Sequence, residues 1–332
     1  MATRRGLLPL HEAVQDPGMA GVVRLLLDAG ADVDAAIGEG EGAEADAVRA
    51  NRRGLTPLML ACDNARRGEG ILEVIGLLLD RGADPNKVGG LQQNALLLAA
   101  LAQSLEAVQL LAARGADIPA MMAAARRNDA TVSPLAAAVV SGHAGLCRWM
   151  VEQGGCSVEE RDSDGYTPLI HAAGYSRGDS AETVRVLVEL GADIEARIHD
   201  GRRALHFAAF KNQPRCAVEL LRLGADVEAE DDSGWTPLHF AARYHHTIVV
   251  CHLLASNAAV GKRVRGGPQP KNKDGVEFEI EDFTAADLAK IVRGGGETVQ
   301  LLLEKGDTLS DETKDLVDDD LWEDTGNACC VM

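Results

Sequence analysis

The chain has 332 residues, and its 51 acidic against 33 basic side chains leave a formal net charge of -18. That balance argues against general binding to a phosphate backbone, which needs Lys and Arg to displace counterions. Hydrophobic residues make up 46% of the chain but aromatics only 3%, which favours close-packed Ala/Leu helices over an aromatic-rich sandwich or barrel.

Taken in order, residues 4–35 read as a first unit: LLPLHEA from Leu7 opens one helix, and LLLDAGADV from Leu25 ends a second. Residues 36–51 form a Gly/Glu/Ala-rich insertion. Closing a longer surface loop costs only about 0.6 kcal/mol per doubling of its length, and the glutamates between its glycines repel phosphate. Residues 54–86 repeat the pair as LTPLMLA and LLLDRGADP, and residues 90–118 as QNALLLAA and LLAARGADI, the former lacking Pro and His. A second insertion, residues 119–132, carries Met121 and Met122, expected to pack down on the array. Residues 133–158 contain VSPLAAA, with Trp149 in the second helix and expected in the core.

Residues 162–194, 198–227 and 231–260 are the most regular part, with YTPLIHAA, RRALHFAA and GWTPLHFAA as openers and LVELGADI and LLRLGADV as closers. In the best copy, Gly234 supplies a turn and Thr236 stands ready to cap a helix. Its first position, Pro237, has a preset φ and needs no N–H partner. The glycine of Gly-Ala-Asp stops the second helix in a left-handed conformation. A third insertion, residues 261–282, has a basic cluster, Lys262, Arg263, Arg265, Lys271 and Lys273, expected to be a solvated loop. A worn unit follows at residues 283–306, then an acidic segment, residues 307–332.

Matching glycines, Gly82 to Gly115 and Gly191 to Gly224, are about 33 residues apart. Two independent phrases holding that phase resemble the ankyrin repeat family over nearly the whole chain. The resemblance implies an all-α solenoid of about eight helix-turn-helix units with β-hairpin-like fingers and worn terminal units, each burying its apolar face only against its neighbours. It also implies that His11, His206 and His239 occupy the structural histidine position. His171 stands one place later, with Ile170 in its slot.

Family members bind proteins through the inner helices and projecting turns. Carried onto this sequence, the variable positions are Tyr166, Gly174 and Tyr175, then His199, Arg202, Phe210 and Lys211, then Asp232, Ser233, Trp235, Arg243 and Tyr244. Aromatic residues and Arg are the usual centres of binding energy, so this strip is the expected partner site on a concave face. Trp235 and Tyr244 are expected to be removable together without loss of the fold. Glu228, Glu230, Asp231 and Asp232 border the strip and suggest a partner segment carrying Lys or Arg. Neither a nucleic-acid partner nor a cofactor is expected, and the array is expected to be monomeric.

No nucleophile stands with a base, so the chain does not read as an enzyme, and no catalytic residue is assigned. Cys62, Cys147, Cys216 and Cys251 fall in helical phrases as small buried side chains. His245, His246, Cys251 and His252 crowd one hairpin but face different ways, and no metal site is assigned. With no hydrophobic leader and no run long enough to span a bilayer, a cytoplasmic or nuclear setting is expected. The last four residues, Cys329 to Met332, resemble a prenylation box with Cys329 as acceptor. One prenyl chain beside the acids at 318–320, 323 and 324 implies weak, reversible membrane contact. Three functions therefore stand in order: a non-catalytic adaptor, a prenylated signalling scaffold, and an enzyme's regulatory subunit.

Overall fold

A computed structural model of the chain describes residues 8–38, 54–89, 93–120, 134–175, 180–264, 283–291 and 296–308. Most of the three insertions, including Met121, Met122, Arg265, Lys271 and Lys273, lies outside the described residues, as does Cys329. The chain divides into two compact bodies, Met1–Ser163 and Asp164–Met332.

In the first body, α1 (Pro9–Ala13) pairs with α2 (Ala20–Asp28), and α3 (Pro57–Asp63) with α4 (Glu69–Asp80). Then α5 (Ala95–Leu101) pairs with α6 (Leu105–Ala113), and α7 (Pro134–Val140) with α8 (Ala144–Glu152). Local chemistry sets these starts. The Thr56 hydroxyl accepts from the Met59 amide at 3.3 Å, the Asn94 carbonyl oxygen from Leu97 at 2.8 Å, and Ser104 from Ala107 at 3.2 Å. Each satisfies an amide that the first helical turn leaves without a partner. Gly82 and Gly115 both stand at φ 91°, and the amide after each reaches back to Leu78 or Leu111 at 3.0 Å, closing the helix end.

The second body repeats the plan. Its hairpins are α9 (Pro168–Tyr175) with α10 (Ala181–Glu189), α11 (Ala204–Phe210) with α12 (Pro214–Arg222), α13 (Pro237–Arg243) with α14 (Thr247–Ala255), and α15 (Ala285–Ile291) with α16 (Gly296–Glu304). First helices pack on first helices, α9 on α11 on α13 on α15, and second helices likewise. The alanine pairs 172–173, 208–209 and 241–242 are fully buried, as are Leu187, Leu220 and Leu253. Alanine lets the backbones approach and leucine fills the space behind them. Among the described residues no sheet forms. The fingers close with single bonds, such as Asp231 N–H to Trp235 C=O at 2.9 Å, and with one isolated bridge, Val88 to Asn94.

Buried histidines tie each hairpin to the loop that follows it. His239 Nδ1 accepts from the Thr236 amide at 3.0 Å, and its Nε2 reaches the Lys262 carbonyl at 2.9 Å. His206 does the same with Arg203 N–H and Trp235 C=O, both at 3.1 Å, and His11 with Leu8 and Ala35. Because Nδ1 faces an N–H donor, only the neutral tautomer with the proton on Nε2 satisfies both contacts. In α15 an acid takes this place: Asp287 accepts from the Thr284 amide at 2.9 Å, and Asp307 accepts from Ala286 at 3.0 Å. Loop carboxylates add a second tie, Glu195 accepting from the Asp226 amide at 2.9 Å and Glu228 from Ala259 at 2.6 Å.

Two core expectations need adjustment. Trp149 is only half-buried, because Cys147 and Met150 fill the interior of α8. Among the cysteines, Cys62, Cys147, Cys156 and Cys216 are buried and Cys251 is half-buried. Burial pushes the Cys62 thiol far up and that of Cys147 up to about 12, which leaves both thiols protonated and unreactive.

Burial lowers His206 and His239 from 6.5 to about 4, and lowers His11 as well. Between these limits the unfolded chain binds protons that the native chain refuses, so the stabilisation is complete above pH 6.5 and is lost as pH falls toward 4. Asp231 and Asp307 are raised by burial and act in the opposite sense, but their shifts are smaller. Urea melts followed by circular dichroism are therefore expected to give a lower midpoint at pH 4.5 than at pH 7. A flat profile across that interval would show that the histidines titrate normally.

Candidate functional site

In the second body, the two residues after each buried alanine pair stand at the C-terminal end of the first helix. Those positions hold Gly174 and Tyr175, Phe210 and Lys211, and Arg243 and Tyr244. Cationic side chains there also sit favourably against the negative end of the helix dipole.

The side chains form a continuous row. Tyr175 is 40% exposed, and its ring lies edge-on to Tyr166 at 5.7 Å, the two hydroxyls 3.5 Å apart. Burial and the Tyr175 hydroxyl together push the Tyr166 phenol well above its usual value. The Lys211 amine stands 5.0 Å from the Tyr175 ring centre and 4.6 Å from that of Phe210. Phe210 meets Tyr244, 41% exposed, edge-on at 4.9 Å. Arg243 is then held between Trp235 and Tyr244, at 5.4 and 5.7 Å. Burial lowers its pKa, partly offset by the hydrogen bond with Tyr244. Cation–aromatic contacts of this kind are worth about 0.5–2 kcal/mol, more as water is excluded.

The remaining expected residues lie on the fingers. Arg202 stands over Phe207 at 5.1 Å, and its Nε donates to Asp200 at 2.6 Å. Burial opposes the charge on both partners, yet their mutual hydrogen bonds win, holding Asp200 low and Arg202 high. His199 is exposed and covers Gly165, where an added Cβ would fall 3.2 Å from its Nε2. Asp232 pairs with Arg197 at 2.8 Å.

The structure revises three expectations. Trp235 is not on the open strip: its ring is 0% exposed, packed on Phe240 at 5.0 Å beneath Arg243. Arg243 is itself only 9% exposed. The bordering acids are already engaged within the chain. Glu228 and Glu230 hold Lys262 at 3.0 and 2.8 Å, Asp232 holds Arg197, and Asp231 accepts from the Ser233 and Trp235 amides. Their pull on a basic partner segment is correspondingly reduced.

Two members of the cluster escaped the sequence reading. Phe207, 1% exposed, contacts Tyr166 at 5.2 Å and Tyr175 at 6.2 Å. His171 turns from the tie position toward Tyr166 and Tyr175, at 5.3 and 5.8 Å, while Ile170 is buried in its stead. The one-place shift of His171 was the available signal; Phe207 had none, since its position reads as core. Gly174 makes room for the cluster, because a Cβ there would come within 3.0 Å of Phe207 Cβ. Nearby, His246 is occupied structurally, its Nε2 lying 3.1 Å from the Phe210 carbonyl. Among the described residues no set of three or more His, Cys, Asp or Glu is grouped to hold a metal, and no helix is long and apolar enough to cross a membrane.

Stacked hairpins with this repeated chemistry define the class. Family models for ankyrin repeats match residues 37–122, 96–198 and 194–264, and another matches residues 5–37, so the chain belongs to the ankyrin repeat family. Such repeats are generally protein–protein interaction modules. The crystal structure of the human ASB11 ankyrin repeat domain superposes with a TM-score of 0.58 at 23% identity, covering 75% of this chain and 98% of that one. Over 154 residues, 46% of its length, the chain is 28% identical to alpha-latrocrustotoxin-Lt1a of Latrodectus tredecimguttatus, spanning only 10% of that protein.

Because Trp235 is fully enclosed, Trp235→Ala is expected to destabilise the fold by about 3–5 kcal/mol, as for other buried large-to-small aromatic changes. Urea unfolding measures this directly, and an unchanged midpoint would contradict the packing described.

Proposed function

We propose that the chain is a non-catalytic adaptor that holds a protein partner against the row formed by Tyr175, Phe210, Lys211 and Tyr244. The supporting observation is the pair of tyrosines, each about two-fifths exposed, fixed by edge-on ring contacts at the ends of α9 and α13 on either side of α11. Rings already held in place lose little side-chain entropy on binding, and rigid aromatics commonly contribute about 2 kcal/mol or more to an interface. Trp235 and Arg243 support the row from below, and Tyr166, Arg202, His199 and Asp232 border it on the finger side.

Each tenfold in affinity corresponds to about 1.4 kcal/mol. Tyr175→Ala combined with Tyr244→Ala is accordingly expected to weaken a purified partner's affinity at least tenfold in titration calorimetry. Both side chains are partly exposed, so the urea midpoint is expected to stay close to that of the unaltered chain. A partner bound equally well by the double variant would remove the row from the interface.

A further inference from the structure

We infer that the partner segment taken by the row is acidic: a peptide carboxylate, from Asp or Glu, docks on the Lys211 amine, and apolar side chains on either side of it rest on Tyr175 and Tyr244. The inference rests on the row being a protein-binding surface and names the chemistry of what it binds.

The ring faces supply the first argument. An aromatic face attracts a cation, so exposed rings ordinarily suit a Lys or Arg from a partner. In this chain its own cations already take those faces. Lys211 stands over Tyr175 and Phe210, Arg243 over Trp235 and Tyr244, and Arg202 over Phe207. A basic side chain arriving from outside would meet a like charge at each of them, and like charges juxtaposed across an interface are strongly disfavoured.

Local charge supplies the second. Although the net charge is -18, no acid occurs from Gly201 to Val218 or from Ser233 to Val264. Those stretches carry α11 with the start of α12, and the whole of α13 and α14. On the fingers, Asp200, Asp232, Glu228 and Glu230 are bound to Arg202, Arg197 and Lys262. Lys211 is exposed, and among the described residues no carboxylate pairs with it. An anion brought to this amine therefore gains Coulomb attraction with no carboxylate to displace.

A carboxylate fits the row better than a polyphosphate does. Nucleic-acid binding draws on many Lys and Arg contacts along a backbone, whereas the row presents one amine bracketed by rings. Spacing then sets the pattern of the segment. Neighbouring first helices stand about 10 Å apart, which is roughly three residues of extended chain. The acid is accordingly expected with an apolar or aromatic residue about three positions before it and another about three after it.

The test uses the full chain and peptides of known sequence. Phage display of random peptides of about twelve residues, roughly twice the span of the row, is expected to enrich that pattern. A synthetic peptide of the enriched sequence is expected to bind Lys211→Glu at least about tenfold more weakly in titration calorimetry, and Lys211→Gln at least about threefold more weakly. Urea melts check that both variants fold. Exchanging the acid of the peptide for Lys is expected to restore binding to Lys211→Glu. Peptides that need Tyr175 and Tyr244 but carry no acid, or that bind the Lys211 variants as well as the unaltered chain, would overturn the acidic assignment alone. Selection of nothing that depends on the two tyrosines would count against the row itself and overturn both readings. Displacement of the peptide by single-stranded oligothymidylate at equal concentration would assign the amine to phosphate and overturn the inference as well.

Discussion

Everything in this protein depends on hairpins that cannot cover their own apolar faces. A two-helix unit such as α11 with α12 leaves Leu205, Ala208, Leu220 and Cys216 with nothing to exclude water unless neighbours stand on either side, and in the stack all four are essentially inaccessible. Stability is therefore a sum of neighbour interfaces rather than the property of one central core. The interfaces need little side-chain volume, which is why a chain so poor in aromatics can bury them. They do need backbones to approach, which is what the alanine pairs allow.

Polar ties refine what burial drives. Apolar stacking is tolerant of small slips, but a buried imidazole that accepts from one amide and reaches one carbonyl of the next loop fits a single register. His206 and His239 are thus specificity devices whose cost is sensitivity to acid. In the last hairpin an aspartate, Asp287, does the same work by accepting from the Thr284 amide. The tie position is therefore set by geometry, and either an imidazole or a carboxyl fills it.

The same periodicity that buries the alanines also produces the surface row. Whatever follows the alanine pair is delivered to the end of the first helix, so three consecutive hairpins place their side chains side by side without any dedicated site architecture. Here those positions hold rings and cations in contact, and the rings are restrained by T-shaped packing before any partner arrives. Arg243 contributes differently from Lys211. Enclosed between Trp235 and Tyr244, it stiffens the row, whereas Lys211 remains outside and carries its charge into solvent.

How much of this was legible beforehand varies by residue. Thr236 before Pro237, the glycines that end second helices, and the histidines at the tie position could all be read from the chain, because caps, stops and short-range bonds depend on neighbours a few residues away. The row was legible in part. Tyr175, Phe210, Lys211 and Tyr244 follow from phase alone, but Trp235 stands one place before its helix cap and its direction depends on Phe240 and Arg243 above it. Phe207 and the displaced His171 joined the cluster only through packing between α9 and α11. The sequence by itself determined the repeat, its period and the ends of its helices, since these are local and recur. Only the tertiary structure decided which rings are covered and which acids are already paired, because burial and charge neutralisation arise between hairpins that are distant along the chain.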